Sequence, residues 1–231
     1  MERHFHEELN QIKEQSLKLG SLAERMVENA VSSLVDRDSR LAGETIAADA
    51  KVDTLEVEIN DGCIRLLALY QPAASDLRFI TTAMKISTDL ERTADQAVNI
   101  SQRALELNEE PQLKPYIDIP LMSQLSQKML RDSLDAFVQR DVALARQVIE
   151  ADNRVDALKD QVFRELLTFM LEDPRTIQRA IRLILVSRYL ERIADHATNI
   201  AEMVVFLVEG KNIRHAPHPK PDDAAGTPLR Q

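Results

Sequence analysis

Apolar residues recur three or four positions apart along most of the chain, the spacing that lines one side of an α-helix. The first run extends from Phe5 to Val35 through Leu9, Ile12, Leu19, Leu22, Met26, Ala30 and Leu34. Arg37, Asp38 and Ser39 interrupt it, and a second run carries Ile46, Val52, Leu55, Ile59, Leu66 and Tyr70 until Gln71-Pro72 stops it. A third goes from Ser75 through Phe79, Ala83, Ile86, Leu90, Ala94 and Val98 to Leu107. Residues 109–120 bring three prolines and no helical stripe, which predicts a linker. Beyond it the pattern returns as runs from Leu121 to Gln139, from Asp141 to Leu171, and from Asp173-Pro174 to Glu209, with Gly210 as the expected cap.

The return is also literal. Asp89 to Ile100 reads DLERTADQAVNI and Tyr189 to Ile200 reads YLERIADHATNI, with eight of twelve positions identical. Upstream, the six residues from Ala48 to Asp53, ADAKVD, match ADNRVD from Ala151 to Asp156. Self-similarity of this kind predicts two similar halves. The expectation is an all-α fold of two tandem antiparallel three-helix bundles, 1–108 and 121–210, joined by 109–120. The stretch 211–231, rich in proline and short of large apolar residues, is expected to be disordered.

Composition agrees: of 231 residues 44% are hydrophobic, only 5 are Gly and none is Trp, which suits helices better than sheets. The net charge of −9 disfavours nonspecific attraction to nucleic acid or to an anionic membrane surface. The start lacks a secretory apolar segment, no run of about eighteen apolar residues is available to span a bilayer, and Cys63 is alone. These features predict a cytoplasmic protein with no direct membrane insertion. Cys63 and the methionines read as core, His4, His6, His215 and His218 as solvated, and Arg78 as a possible point of contact with a partner.

The acids of the repeat carry the candidate chemistry. Glu91 with Asp95, and Glu191 with Asp195, stand four residues apart, about one helical turn. Asp49 with Asp53, and Asp152 with Asp156, do the same on the preceding helix. Like charges at that spacing repel unless a cation, a basic partner or water separates them. Asp53 and Glu91 lie at similar distances from the turn at Gln71-Pro72, so antiparallel neighbours bring the two pairs to one level, and the second half gives a similar count about Asp173. A single charged pair is most simply a solvated face or half of a salt bridge. Recurrence in both halves favours a cation site instead, because Lys51, Arg92, Arg154 and Arg192 point about 100° away from the neighbouring acids. Four carboxylates form a hard oxygen cage suited to Mg, Mn, Ca or oxidised Fe, and facing helices of bundles commonly hold such sites. The Glu-x-x-His pairing of di-iron bundles is missing, since His196 follows Asp195 directly and its counterpart is Gln96. Asn99 and Asn199 are expected as outer or weak ligands. No nucleophile elbow, P-loop, HExxH or glycine-rich dinucleotide turn is present, so no enzyme is expected. The alternative is a metal-dependent phosphohydrolase or a metal-storage bundle.

The doubled LERxAD-x-x-x-NI on third helices and the AD-x-x-VD segments on second helices resemble the PhoU family, over Phe5 to Glu209. The resemblance implies a negative regulator of the phosphate-starvation response. It would act as an adaptor between the ATPase subunit of a phosphate ABC importer and a sensor histidine kinase, modulating phosphate uptake. It further implies a homodimer in the cytoplasm, peripheral to the inner membrane through protein partners. Family ExxxD motifs bind metal ions, which carries over to Asp49, Asp53, Glu91 and Asp95 in the first half and Asp152, Asp156, Glu191 and Asp195 in the second, with Mg, Mn, Zn or Fe as candidates. No anion nest or basic pocket is evident, so direct sensing of phosphate is not expected.

Overall fold

Two turns of the same design show how each half begins. Arg37 and Arg140 both take left-handed backbone conformations, with φ of 57° and 55°, and end the first helix of their half. The next residue, Asp38 or Asp141, caps the following helix by accepting a hydrogen bond from the amide of Leu41 or Leu144, each at 3.0 Å. The computed structural model describes residues 2–213, and side chains from residue 4 onward. Its elements are α1 (Glu2–Val35), α2 (Ser39–Tyr70), α3 (Ala74–Asn108), α4 (Asp118–Gln139), α5 (Val142–Glu172), a 3-10 turn (Pro174–Thr176) and α6 (Ile177–Glu209). The fold is all-α, with α1–α3 repeated as α4–α6. Most of the expected tail, from residue 214, lies outside the described residues.

Two boundaries of the second half differ by three residues or more from the sequence reading. Helix α4 begins at Asp118 rather than Leu121, with Pro120 inside its first turn; proline is tolerated there because an amide in that turn has no intrahelical acceptor. Pro174 opens a 3-10 turn instead of α6 itself. Asp173 accepts from the Arg175 amide at 3.0 Å, and the Thr176 hydroxyl donates back to the Phe169 carbonyl at 2.9 Å, closing the connection. Gly210, at φ 69°, ends α6 as the sequence predicts.

The central layer is α3 against α6. Helices α1 and α4 meet each other beside it, while α2 packs on α1 and α3, and α5 on α4, α6 and the 3-10 turn. One apolar core runs through all six helices. Across the junction of the halves, the rings of Phe79 and Phe137 stack with centroids 5.5 Å apart. Gly20 lets α1 approach α4, since a Cβ there would run into Leu134. The α1–α4 contact is extended by an ion pair of Glu24 with Arg131 and by Lys13 Nζ donating to the Val138 carbonyl at 3.2 Å. Arg78, half-buried on α3, reaches α6, where its Nε donates to the Leu207 carbonyl at 3.4 Å.

Residues 109–117 connect α3 to α4 and are strapped down. Arg182 of α6 donates to Glu106 at 2.7 Å and to Glu110 at 2.6 Å, Arg179 donates to the Pro111 carbonyl at 2.9 Å, and Lys114 pairs with Glu165 of α5. From the first turn, Arg37 reaches the same place and donates to the carbonyls of Asn108 (2.6 Å) and Glu110 (2.7 Å), satisfying the open end of α3. Arg37→Ala is expected to cost about 1 to 2 kcal/mol, the worth of charge-assisted bonds to a helix end. Urea unfolding checks this, and an unchanged midpoint would show that the guanidinium holds nothing.

Cys63 is fully buried, and burial pushes its thiol up to about 12, as befits a core residue. No helix among the described residues is long and apolar enough to cross a membrane.

Candidate functional site

The repeated LER-x-A-D motif is a division of labour around the helix. Leu90, Ala94, Leu190 and Ala194 are fully buried and Arg92 and Arg192 are exposed, while of the acids Glu91 and Glu191 are half-buried and Asp95 and Asp195 are exposed at the edge facing the outer helix. On the outer helices, Val52 and Val155 are buried and fix the same edge, so that Asp49 and Asp53 on α2, and Asp152 and Asp156 on α5, face their partners on α3 and α6. As many residues separate Asp53 from the end of α2 as separate the start of α3 from Glu91. The antiparallel hairpin therefore brings both pairs level. Lys51, Arg92, Arg154 and Arg192 are all exposed and turned to other sides of their helices.

Within each half the acids act on one another through space. In the first half burial raises the pKa of Asp49, reinforced by Asp53 and Asp95. Burial likewise raises Glu91, followed by repulsion from Asp95, Asp53, Glu56 and Asp49. In the second half burial, Asp195, Asp156 and Glu191 push Asp152 up from 3.8 to about 6, with Lys159 opposing. Asp195 is raised by burial, then by Glu191 and Asp156, against the pull of His196 and Lys159. As placed, no three His, Cys, Asp or Glu side chains among the described residues close into a metal-holding group. The structure thus gathers the eight sequence-derived acids into two faces of four without closing either face into a cage.

Two features escape the sequence reading. First, Lys159 sits within the second face, where its Nζ donates to Asp156 Oδ1 at 2.8 Å and to Glu191 Oε1 at 3.1 Å. The bond to Asp156, joined by that to Glu191, raises the lysine's pKa against the opposing effect of its own burial. Its counterpart in the first half is Glu56, three residues after Asp53 as Lys159 is three after Asp156. Glu56 accepts from Asn60 at 2.5 Å and from Thr88 at 3.3 Å. Extending the ADAKVD/ADNRVD match by three residues exposes this reversal of charge. Second, Asp89 and His196 join α3 to α6: His196 Nδ1 and Asp89 Oδ1 are 2.9 Å apart, and Asn199 Nδ2 donates to the same oxygen at 3.3 Å. Asn199 is thereby engaged at the junction of the halves rather than on the acidic face where the sequence reading placed it. Both Asp89 and His196 occupy positions at which the two motif copies differ, the available signal for a contact made once rather than twice. The open groove between α1 and α2, lined by Glu8, Gln11, Glu58, Asp61 and Arg65, holds none of the repeated acids.

Comparison with known proteins agrees with the doubled architecture. The family model described as the PhoU domain matches residues 17–104 and again 119–204, one copy in each half. The chain is 48% identical over 208 residues to the "Phosphate-specific transport system accessory protein PhoU homolog" of Aquifex aeolicus, covering 90% of this chain and 94% of that one. A protein of the same description from Pseudomonas aeruginosa is 42% identical over 212 residues, covering 91% and 88% of the two chains. The crystal structure of PhoU from Pseudomonas aeruginosa superposes with a TM-score of 0.87 over 90% of this chain and 100% of that chain. The phosphate transport system regulatory protein PhoU from Streptococcus pneumoniae, 30% identical, gives 0.84 over 90% and 98%. Two domain matches, high identity along nearly the whole chain and a shared six-helix arrangement lead to one conclusion: the chain belongs to the PhoU family.

Proposed function

We propose that the protein is an accessory protein of a phosphate transport system and a negative regulator of the phosphate-starvation response, acting as an adaptor rather than an enzyme. The observation that carries this reading is the pair of acidic faces, each built from the same two helices of its half, within a PhoU fold. The adaptor would link the importer's ATPase subunit to a sensor histidine kinase and damp signalling while phosphate is plentiful. Homodimerisation and a cytoplasmic place beside the inner membrane belong to the same proposal.

In this reading Asp49, Asp53, Glu91 and Asp95, and in the second half Asp152, Asp156, Glu191 and Asp195, are the residues that would hold metal ions. The donor set fits: it is all carboxylate oxygen, suited to Mg, Mn or Fe in hard coordination and open to Zn. The side chains would draw in from their present positions to close around an ion. A bound cation supplies neutralisation of a face whose acids otherwise raise one another's pKa. The chain's own residues do the rest, since buried Leu90 and Leu190 hold the carboxylates level and the exposed arginines stay clear of them.

Deleting the gene is expected to switch on phosphate-responsive genes in phosphate-rich medium, read as alkaline phosphatase or reporter output. Normal repression in the deletion strain would reject the regulator reading.

A further inference from the structure

The two halves repeat helix for helix, yet their acidic faces are not charged alike. On the first face Asp49, Asp53, Glu91 and Asp95 are joined by Glu56, and the groups acting most strongly on Asp49 and Glu91 are all acids. On the second face the position of Glu56 is taken by Lys159, whose ammonium bridges Asp156 on its own helix and Glu191 on α6 at 2.8 and 3.1 Å. Five carboxylates thus face four carboxylates and a lysine, a difference of two unit charges at one position of the repeat.

We propose that Lys159 is the built-in counter-ion of the second face, so that the two halves are unequal: the second is partly neutralised from within, and the first depends wholly on an external cation. The inequality in ion binding rests on the reading of the faces as cation sites, whereas the counter-ion role of Lys159 stands on its own geometry. The lysine ties α5 to α6 and competes with any ion for the same carboxylates. An ion entering the second face must displace an ammonium already hydrogen-bonded to two of its ligands. An ion entering the first face displaces none and gains the attraction of Glu56. Neutral donors, Asn60 on the same helix and Thr88 on α3, hold Glu56 without cancelling its charge.

The test uses the full chain stripped with chelator, as wild type, Lys159→Gln and Glu56→Lys, titrated with Mn²⁺ by calorimetry and melted in chelator. Wild type is expected to bind Mn²⁺ in two classes separated by at least about tenfold, given two unit charges at ion-pair distance in a partly solvated site. Lys159→Gln should tighten the weaker class and Glu56→Lys should weaken the stronger. In chelator, the order of melting temperatures should be Lys159→Gln below wild type and Glu56→Lys above it. If Mn²⁺ binds nowhere but that order of melting holds, the counter-ion role stands and the metal reading of the faces fails. Two equal classes in wild type, or a Lys159→Gln variant that binds and melts as wild type does, would overturn the proposal.

Discussion

A chain carrying Leu90→Ala is expected to lose about 3 kcal/mol of stability, near the lower end of values for burying a cavity where a leucine stood. For a protein of this length that is a fall in melting temperature of roughly 6 to 12 °C. Leu90 is fully buried on α3, the helix that packs at once on α1, α2 and α6, so the space it leaves is walled by several elements and collapses poorly. It also stands between Asp89, which reaches His196 across the halves, and Glu91 on the acidic face. The substitution should therefore loosen the α3–α6 junction as well as the core. Chemical denaturation measures the loss, and a cost under 1 kcal/mol would mean that the centre of the molecule repacks freely.

The second large effect is in pH. Asp152 titrates at about 6 in the folded chain against 3.8 as its ordinary value, through burial and the charges of Asp195, Asp156 and Glu191, with Lys159 opposing. The folded state thus holds this proton more tightly than the unfolded chain does. By linkage, stability falls as pH rises from about 4 to about 6, and the loss is complete above that range. Asp152→Asn copies the protonated form. In chelator its stability should match the parent's at pH 4 and exceed it at pH 7 by about 1 to 2 kcal/mol, once the shift is discounted for solvent screening of a partly exposed carboxylate, and its melting temperature should follow. Equal melting at both pH values would show that the carboxylate carries no such penalty.

Much of this was legible in the sequence because packing and charge occupy different phases of the same helix. The three-to-four spacing of Leu, Ile and Ala marked the helices, and the turn residues Asp38, Asp141 and Gly210 marked their ends. The repeated acids could be placed on common faces because the hairpin turns fix the register of α2 against α3 and of α5 against α6. The less legible parts have physical reasons too. Pro120 reads as a helix breaker, but in a first turn it breaks nothing. Arg78 stands just after a turn, and nothing near it in sequence marks the carbonyl it reaches, which belongs to Leu207 late in the chain. Asn199 shares the periodicity of the acids, and only the docking of α6 on α3 turns it to Asp89. Lys159 was visible as a residue yet not as a member of the site, because the spacing of the acids alone says nothing about a cation seated between two of them. The repeat also explains why so much of the motif is identical. Leu, Ala and Ile of each copy fill the central layer, and that requirement is the same in both halves whatever the acids bind.

If the two acidic faces are cation sites, the full chain purified without chelator carries metal on them. Metal analysis compares the wild type with a variant carrying Asp95→Ala and Asp195→Ala. Bound metal is expected in the wild type and a marked loss in the variant, with both remaining folded because Asp95 and Asp195 are exposed. Equal metal content in the two proteins would contradict the cation-site reading.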